Sequence, residues 1–351
     1  MKKIAIYHNL YPGGALHQMY EISKKLLNLN YQIDYYSLSP TSSIKTTQQF
    51  IHYVPDSKNL FQELYQVIYV LPKLQKRMAR EIDHKKYDAV LVFPCKRTQA
   101  PHLLKYLKNK STFYMFMEPK REFYEPTSFS HNCINKWISR KIRSIIKIID
   151  KRNCQQAHHI ISNSYFTQNN LRKIYKRNSI VLIPAIKQIK KIYQIKINNQ
   201  KVLSLGLLSM LKGHHISSNV YPKLHIYGKT SHDNIKKFIS TQTKIFPNFT
   251  ESVNTIYKKY DIFMANQINE PFGLTTLEAT NKKLFIIGTN QGGTCEIVQN
   301  GINGILLPIS NISLSRKIIN NIINSRKIKF FKNCIIDWNH TTKNLIKILN
   351  V

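Results

Sequence analysis

Short apolar runs alternate with helical periods along most of the chain. At the N-terminus "KKIAIYHNLY" has the continuous apolar character of a buried strand. "PGGALHQMYEISKKLLNLN" follows as a glycine-rich turn opening a helix, with apolar positions at Met19, Ile22, Leu26 and Leu29. "YQIDYYSLS" is then a second strand, and this β-turn-α-β opening is typical of a parallel sheet. The alternation continues with a helix over about 58–84, a strand at 87–94, a helix near 99–108 and a strand at 112–117. After a basic stretch come a strand at 158–164, a helix over 165–176 and a strand at 179–184. The pattern lapses in "AIKQIKKIYQIKINNQ", residues 185–200, which has no clear period and is expected to be a linker. A second series then places strands at 201–206, 223–228, 261–266 and 284–290, separated by helical stretches, the last over about 312–325. These elements predict an α/β protein of two doubly wound domains, 1–190 and 200–335. A cleft is expected where the carboxyl ends of the two sheets face each other.

Length and composition agree with two domains, since 351 residues with 42% apolar content can bury more than one core. No apolar stretch approaches the ~20 residues of a membrane-spanning helix, and the N-terminal apolar run ends too soon for a secretory signal. The five cysteines are scattered and form no Cys-x-x-Cys pair, which argues against a disulfide framework or zinc site and for a reducing, cytoplasmic setting. The formal charge of +35, from 53 Lys and Arg against 18 Asp and Glu, raises the question of nucleic acid. Lysine outnumbers arginine, Ile and Asn are abundant, and the lysines are dispersed, so A/T-rich codons account for the charge first. An anionic membrane surface or substrate comes next, and no nucleic-acid partner is expected.

In a chain so poor in acid, "NEPFGLTTLEAT" (269–280) places two glutamates eight positions apart around a Pro-Phe-Gly turn. Pro271 suits a first helical turn, so the helix N-terminus is expected to open at the end of the strand before it, where backbone amides can receive an anion. Glu270 then sits at the mouth of the turn and Glu278 roughly two turns into the helix. A carboxylate can accept hydrogen bonds from both hydroxyls of a vicinal diol, as on a ribose or sugar ring. Taken alone, the pair is better accounted for as two solvated surface carboxylates. The following "FIIGTNQGGTCEIVQNGINGILLP" adds a strand, a Gly-Gly turn at Gly292 and Gly293, Glu296 and a second glycine-containing turn.

In order and spacing, "EPFGLTTLEA", "IIGTNQGGTCEIV" and "NGINGILLP" resemble the donor-site half of the retaining GT-B glycosyltransferases of family GT4. "PGGALHQMYEISKKL", "YMFMEPKREFYE" and "HHIISNSYFTQNNLRKIY" are similar to N-terminal segments of the same family, so the resemblance covers most of the chain. It implies the GT-B fold, two Rossmann-like domains of which the first binds acceptor and the second a nucleotide-diphosphate sugar. A final helix, 340–351, is expected to pack back on the first domain. The implied donor-site roles are Glu278 on the ribose hydroxyls and Glu270 on the transferred sugar near the reacting carbon. Amides of Phe272, Gly273 and Leu274 would contact sugar and phosphate, Lys212 the diphosphate, and Gly14 of the Gly-Gly loop would also lie on the donor side. Glu118, Arg121 and His17 fall on the acceptor side. An ordinary salt bridge would equally explain Arg121, and a surface or packing role His17.

The implied reaction is metal-independent transfer, with retention, to a hydroxyl of a glycan or lipid-linked precursor, as in polysaccharide biosynthesis, with no cofactor beyond the nucleotide sugar. No Asp-x-Asp occurs to bridge a metal to the diphosphate. Asn163 and Ser164 are expected to end a strand and cap a helix. Two departures stand out. "GLLSMLKG" keeps Lys212 but has Leu207 where relatives carry Arg, and Met117 replaces the usual His before Glu118 and Pro119. They leave open an alternative, a catalytically degenerate GT-B protein that partners an active transferase.

One basic stretch, "INKWISRKIRSIIKIIDKR" (134–152), sets Ile134, Trp137, Ile138, Ile142, Ile145, Ile146 and Ile149 on a broad apolar face, with Lys136, Arg140, Lys141, Arg143 and Lys147 largely opposite. Such a helix either packs its isoleucines into the domain or lies on an anionic membrane, at the inner face for a cytoplasmic protein.

Overall fold

A computed structural model describes residues 1–39, 48–125, 136–184, 191–196, 201–230, 235–308, 311–325, 327–332 and 337–350. The chain forms two compact units, Met1–Pro184 with Trp338–Val351, and Ala185–Asp337.

The first unit holds strands β1 (Lys3–Asn9), β2 (Gln32–Ser37), β3 (Gln48–Ile51), β4 (Ala89–Cys95), β5 (Thr112–Phe116), β6 (His159–Ser162) and β7 (Ile180–Val181). They make one sheet in the order β3-β2-β1-β4-β5-β6-β7, with every pairing parallel. Helices α1 (Gly14–Asn28), α2 (Leu60–Tyr65), α3 (Leu71–His84), α4 (Leu103–Tyr106), α5 (Arg121–Tyr124), α6 (Lys136–Gln155) and α7 (Tyr165–Tyr175) connect them. A π-helical turn, Gln66–Val70, joins α2 to α3.

Strand β4 shows why the sheet forms. All seven of its residues are buried, and alternate ones enter different cores: Val90 and Val92 join the cluster with Val67, Leu71, Ile142 and Ile146, whereas Ala89, Leu91 and Phe93 join that with Met19, Ile22 and Leu26. A strand covered on both faces needs apolar residues at every position, which is the pattern its sequence carries.

The second unit contains β8 (Lys191–Lys196), β9 (Val202–Leu205), α8 (His214–Val220), β10 (Leu224–Gly228), β11 (Lys244–Pro247), α9 (Val253–Tyr257), β12 (Ile262–Ala265), α10 (Leu274–Asn281), β13 (Phe285–Thr289), α11 (Thr294–Ile297), β14 (Gly304–Leu307), α12 (Ile312–Asn324) and β15 (Lys327–Lys332). Six of these strands form a parallel sheet in the order β11-β10-β9-β12-β13-β14, the same winding as the first unit. The last helix, α13 (Trp338–Leu349), returns to the first unit, packs on α1 and adds Leu345 and Leu349 to its core.

The structure corrects several expectations. Within the stretch read as linker, β8 pairs antiparallel with β15 from Lys191↔Lys332 to Lys196↔Lys327, a partner far away in sequence that no local period announces. The helix expected near 99–108 shrinks to Leu103–Tyr106, because the chain before it is held in other bonds: Cys95 bridges Gln99, and Ala100 N donates to Asp150 Oδ1 at 2.9 Å. On α6 the buried isoleucines are Ile142 and Ile146, with Ile138 and Ile149 partly buried, while Trp137 and Ile145 point outward. The apolar arc is thus broader than the buried one. Ile134 lies outside the described residues.

Asp150 of α6 is fully buried, accepting also from Tyr175 Oη at 2.6 Å. Burial raises its pKa to about 7 against the help of these hydrogen bonds. A folded pKa above the unfolded one means that its stabilising contribution is complete below about pH 4 and is lost as pH rises through about 7. At ~1.4 kcal/mol per pKa unit this is on the order of 4 kcal/mol. Asp150→Asn should therefore gain stability relative to the parent as pH rises from 5 to 8 in thermal melts. A difference constant with pH would contradict this account.

Candidate active site

Each sheet reverses its strand order beside its first strand, between β1 and β4 and between β9 and β12. Connections leaving such neighbours diverge to opposite faces, so ligands of open parallel sheets bind outside the carboxyl ends of those strands. In the second unit the chain leaving β9 holds Leu207 and Lys212, and the chain leaving β12 holds Glu270.

Three loops knit together here. Ile268 N donates to Leu211 O at 3.0 Å, joining the first two. Gly213, at φ 66°, lies against Asn266 so closely that a Cβ would fall 1.7 Å from its carbonyl oxygen. The third loop, after β13, supports Glu270 from beneath: Gly293 N donates to Glu270 O at 2.7 Å, and a Cβ on Gly292, itself at φ 68°, would come within 2.6 Å of that oxygen. With backbones fixed in this way, Lys212 Nζ donates to Glu270 Oε2 at 2.8 Å, the lysine side chain 29% and the glutamate 13% exposed.

Helix α10 starts at Leu274, not at Pro271 as expected, because Asn269 (φ 46°) and Gly273 (φ 99°) adopt left-handed conformations that break the turn. Its first intrahelical bond runs from Leu277 N to Gly273 O. The amides of Leu274, Thr275 and Thr276 therefore lie ahead of the helical ladder, at the positive end of the helix. Phe272 is buried beside them. Glu278 lies one turn into the helix rather than two and accepts from Tyr257 Oη at 3.2 Å; the same phenol reaches Thr275 O at 3.1 Å. Burial, then the Glu278 charge, pushes the Tyr257 pKa well up, so the phenol stays a donor. Tyr257 was not legible as a site residue, since its contact with Glu278 is tertiary.

His214 anchors the β9 loop. Its Nε2 lies 3.2 Å from Leu207 O and its Nδ1 3.1 Å from Ser204 Oγ, a pairing that suits a neutral ring donating from Nε2. Burial lowers its pKa to about 4, which keeps it neutral. Leu207 itself is 46% exposed.

The remaining expected residues lie in the first unit. Gly14 opens α1, after β1, and exposed His17 stacks edge-on against Trp338 of α13 at 6.2 Å. Glu118 and Arg121 follow β5; Glu118 is partly buried, and Arg121 makes a two-pronged contact with Glu125 at 2.9 and 2.8 Å. Met117 is buried in the core, so its replacement of histidine is also a change of environment. Ser164 caps α7 by accepting from Thr167 N, and Asn163 lies just past the end of β6 at Ser162. Sequence reading missed the cations beside these residues: Lys96 and Arg97 meet Asp56, and Lys120 meets Glu63 and Glu122.

Residues 186–335 match the family model for glycosyl transferases group 1. The match spans nearly all of the second unit. A sucrose synthase of Melioribacter roseus is 33% identical over 101 residues, 28% of this chain and 12% of that protein. The curated relatives are thus matched over only 10–20% of their own lengths. Solved structures extend the likeness to both units. A sucrose-phosphate synthase from Thermosynechococcus elongatus has a TM-score of 0.68 at 14% identity, covering 99% of this chain and 95% of its own. Anabaena HepE, solved with UDP-glucose, has a TM-score of 0.62 at 14% identity, with 100% of each chain covered. At such identities these neighbours establish the fold, which is GT-B.

The glycine contacts of this domain are separable from left-handed backbone as such. Gly301 has φ 76° with nothing within 4 Å of a Cβ. Gly301→Ala should cost only the left-handed strain, about 1–2 kcal/mol. Gly213→Ala adds the clash with Asn266 and should lower the melting temperature distinctly more. Equal losses would mean that the approach of the β9 and β12 loops is not tightly constrained.

Proposed function

We propose that the protein transfers a hexose from a nucleotide-diphosphate sugar to a hydroxyl of a glycan or lipid-linked precursor, with retention at the anomeric carbon and without a metal or other cofactor. This is the GT4 reading suggested by the sequence. UDP is the nucleotide favoured, because HepE and a trehalose-6-phosphate structure from E. coli were solved with UDP-sugars. The observation that supports the reading most directly is the Lys212–Glu270 contact at the strand-order reversal of a group 1 domain.

In this reading the ribose hydroxyls donate to Glu278, whose orientation Tyr257 holds. Lys212 and the amides of Phe272, Gly273 and Leu274 take up the charge that develops on the leaving diphosphate, where preformed donors act most strongly. The diphosphate then competes with Glu270 for Lys212, freeing the Glu270 carboxylate to accept from the transferred sugar. The acceptor hydroxyl attacks the anomeric carbon from the face that the diphosphate leaves, and its proton passes to the departing phosphate oxygen. Residues 1–190 would supply the acceptor side, with Glu118, His17 and Arg121, and residues 200–335 would bind donor. The group missing at Leu207 has a neighbour in Lys229, exposed at the end of β10, whose carbonyl accepts from Leu208 N at 2.8 Å.

Exposed Leu207 and buried Met117 favour a second reading, a catalytically silent GT-B partner protein. Thermal melts with UDP, GDP, ADP and their sugars separate the possibilities when combined with donor turnover. Transfer predicts selective stabilisation by one nucleotide, diminished in Glu278→Ala, together with donor-sugar turnover that falls about 10²- to 10³-fold in Lys212→Met. Loss in Lys229→Ala as well would assign that lysine the missing charge. Stabilisation without turnover, or no stabilisation of the folded protein at saturating ligand, overturns transfer and supports the silent partner. Peripheral contact with an anionic membrane belongs to the same proposal.

A further inference from the structure

We infer that the outward face of the helical layer formed by α2, the following π turn, α3 and α6 docks on an anionic lipid bilayer. This deepens the membrane part of the reading above and does not depend on glycosyl transfer. These helices cover one face of the first sheet: Val67, Leu71, Met78, Ala79 and Ile82 from one run and Ile142 and Ile146 from α6 enter the same core. Helix α2 packs against α6, so their outer surfaces are neighbours.

What they leave outside is unusual for a solvated layer. Phe61, Tyr65 and Tyr69 stand four residues apart and are 65%, 58% and 65% exposed, with Ile68 beside them. The Tyr65 and Tyr69 rings lie 5.5 Å apart. On α6, Trp137, Ile145 and Ile148 are 64%, 41% and 51% exposed. Among the described residues the exposed charges of α3 and α6 are all cationic: Lys73, Lys76, Arg77 and Arg80 on the first, Arg140, Lys141, Lys151 and Arg152 on the second. The carboxylates of these helical segments are turned at least partly inward, Asp150 completely. Glu63 is taken by Lys120, and Glu81 by Arg77 and His52. Lys141 Nζ sits 3.7 Å from the Trp137 ring centroid, placing a cation directly beside the indole.

Aromatic rings with cations suit either a bilayer interface or a glycan, but exposed Ile68, Ile145 and Ile148 offer a sugar no hydrogen bond. Aliphatic side chains, an interfacial Trp and Tyr, and a rim of Lys and Arg together fit the acyl boundary and anionic headgroups of a bilayer. The charge asymmetry makes the lipid anionic.

The test is co-sedimentation of the full chain with phosphatidylglycerol vesicles and with phosphatidylcholine vesicles. The protein should sediment with the first and remain free with the second. Tyr65→Ser/Tyr69→Ser and Trp137→Ser/Ile148→Ser, each verified as folded by thermal melting, should bind phosphatidylglycerol at least tenfold more weakly. Lys236→Ser/Lys237→Ser, in the other unit, should bind as the parent does. Glu278→Ala should also bind unchanged, so loss of donor recognition and loss of docking are read separately. Equal sedimentation with both lipids, or binding that ignores both surface variants, would overturn the proposal. So would competition by soluble glycan, which would assign the aromatic row to sugar.

Discussion

The site depends on how closely three backbones approach at the carboxyl end of β12. Glu270 is not placed by its own segment alone: the loop after β9 touches the start of its loop through Gly213, and the loop after β13 touches its backbone through Gly292 and Gly293. Any Cβ at these points would intrude on a neighbouring main chain, so the distance between Lys212 and Glu270 is set by residues with no side chain. Close packing leaves little room for such loops to drift, and a charged pair can then be held at 2.8 Å without being sealed from water.

The scarcity of acid gives the remaining carboxylates visible work. Asp150 terminates a buried network, while Glu63, Glu81 and Glu125 each hold a cation at the surface of the first unit. Glu270 and Glu278 differ in kind. One faces a lysine that a diphosphate could claim, and the other is steadied by a buried phenol that can only donate to it. That distinction between an ion pair that can be exchanged and a hydrogen bond that need not be is what the sequence spacing alone could not express.

Much of the fold was legible because the central strands are covered on both faces. Residues 89–95 and 285–289 are apolar or small throughout, and they stand out without any alternation. Edge strands β3 and β11 did not, since Gln48–Ile51 is half polar, Lys244–Pro247 is short and ends in proline, and both are partly exposed. The β8–β15 pair was invisible because its pairing joins segments more than a hundred residues apart. On α6 the sequence offered too many isoleucines to show which would face inward. The Gly-Gly turn and the two glutamates were legible as a constellation, but Pro271 misplaced the start of α10, as the left-handed Asn269 and Gly273 that delay it are tertiary consequences of the loop contact. Tyr257 had no signal at all, being a core tyrosine whose hydroxyl happens to emerge at Glu278.

In the proposed donor site, leucine at position 207 would shift the electrostatic burden rather than simply remove part of it. The loop that bears it is still ordered by buried neutral His214, which bonds the Leu207 carbonyl irrespective of the side chain attached there. Backbone geometry there is thus set independently of the side chain at position 207. The amides ahead of α10 are unaffected by that exchange, because they are set by Gly273 and the Gly292–Gly293 support. Fixed dipoles lose nothing when an arginine disappears, whereas a lone Lys212 becomes proportionately more important. Under the proposed transfer the scaffold of an anion site would persist with fewer mobile charges in it, and leaving-group stabilisation would rest on Lys212, which Glu270 already holds in place, with Lys229 the candidate for the missing charge.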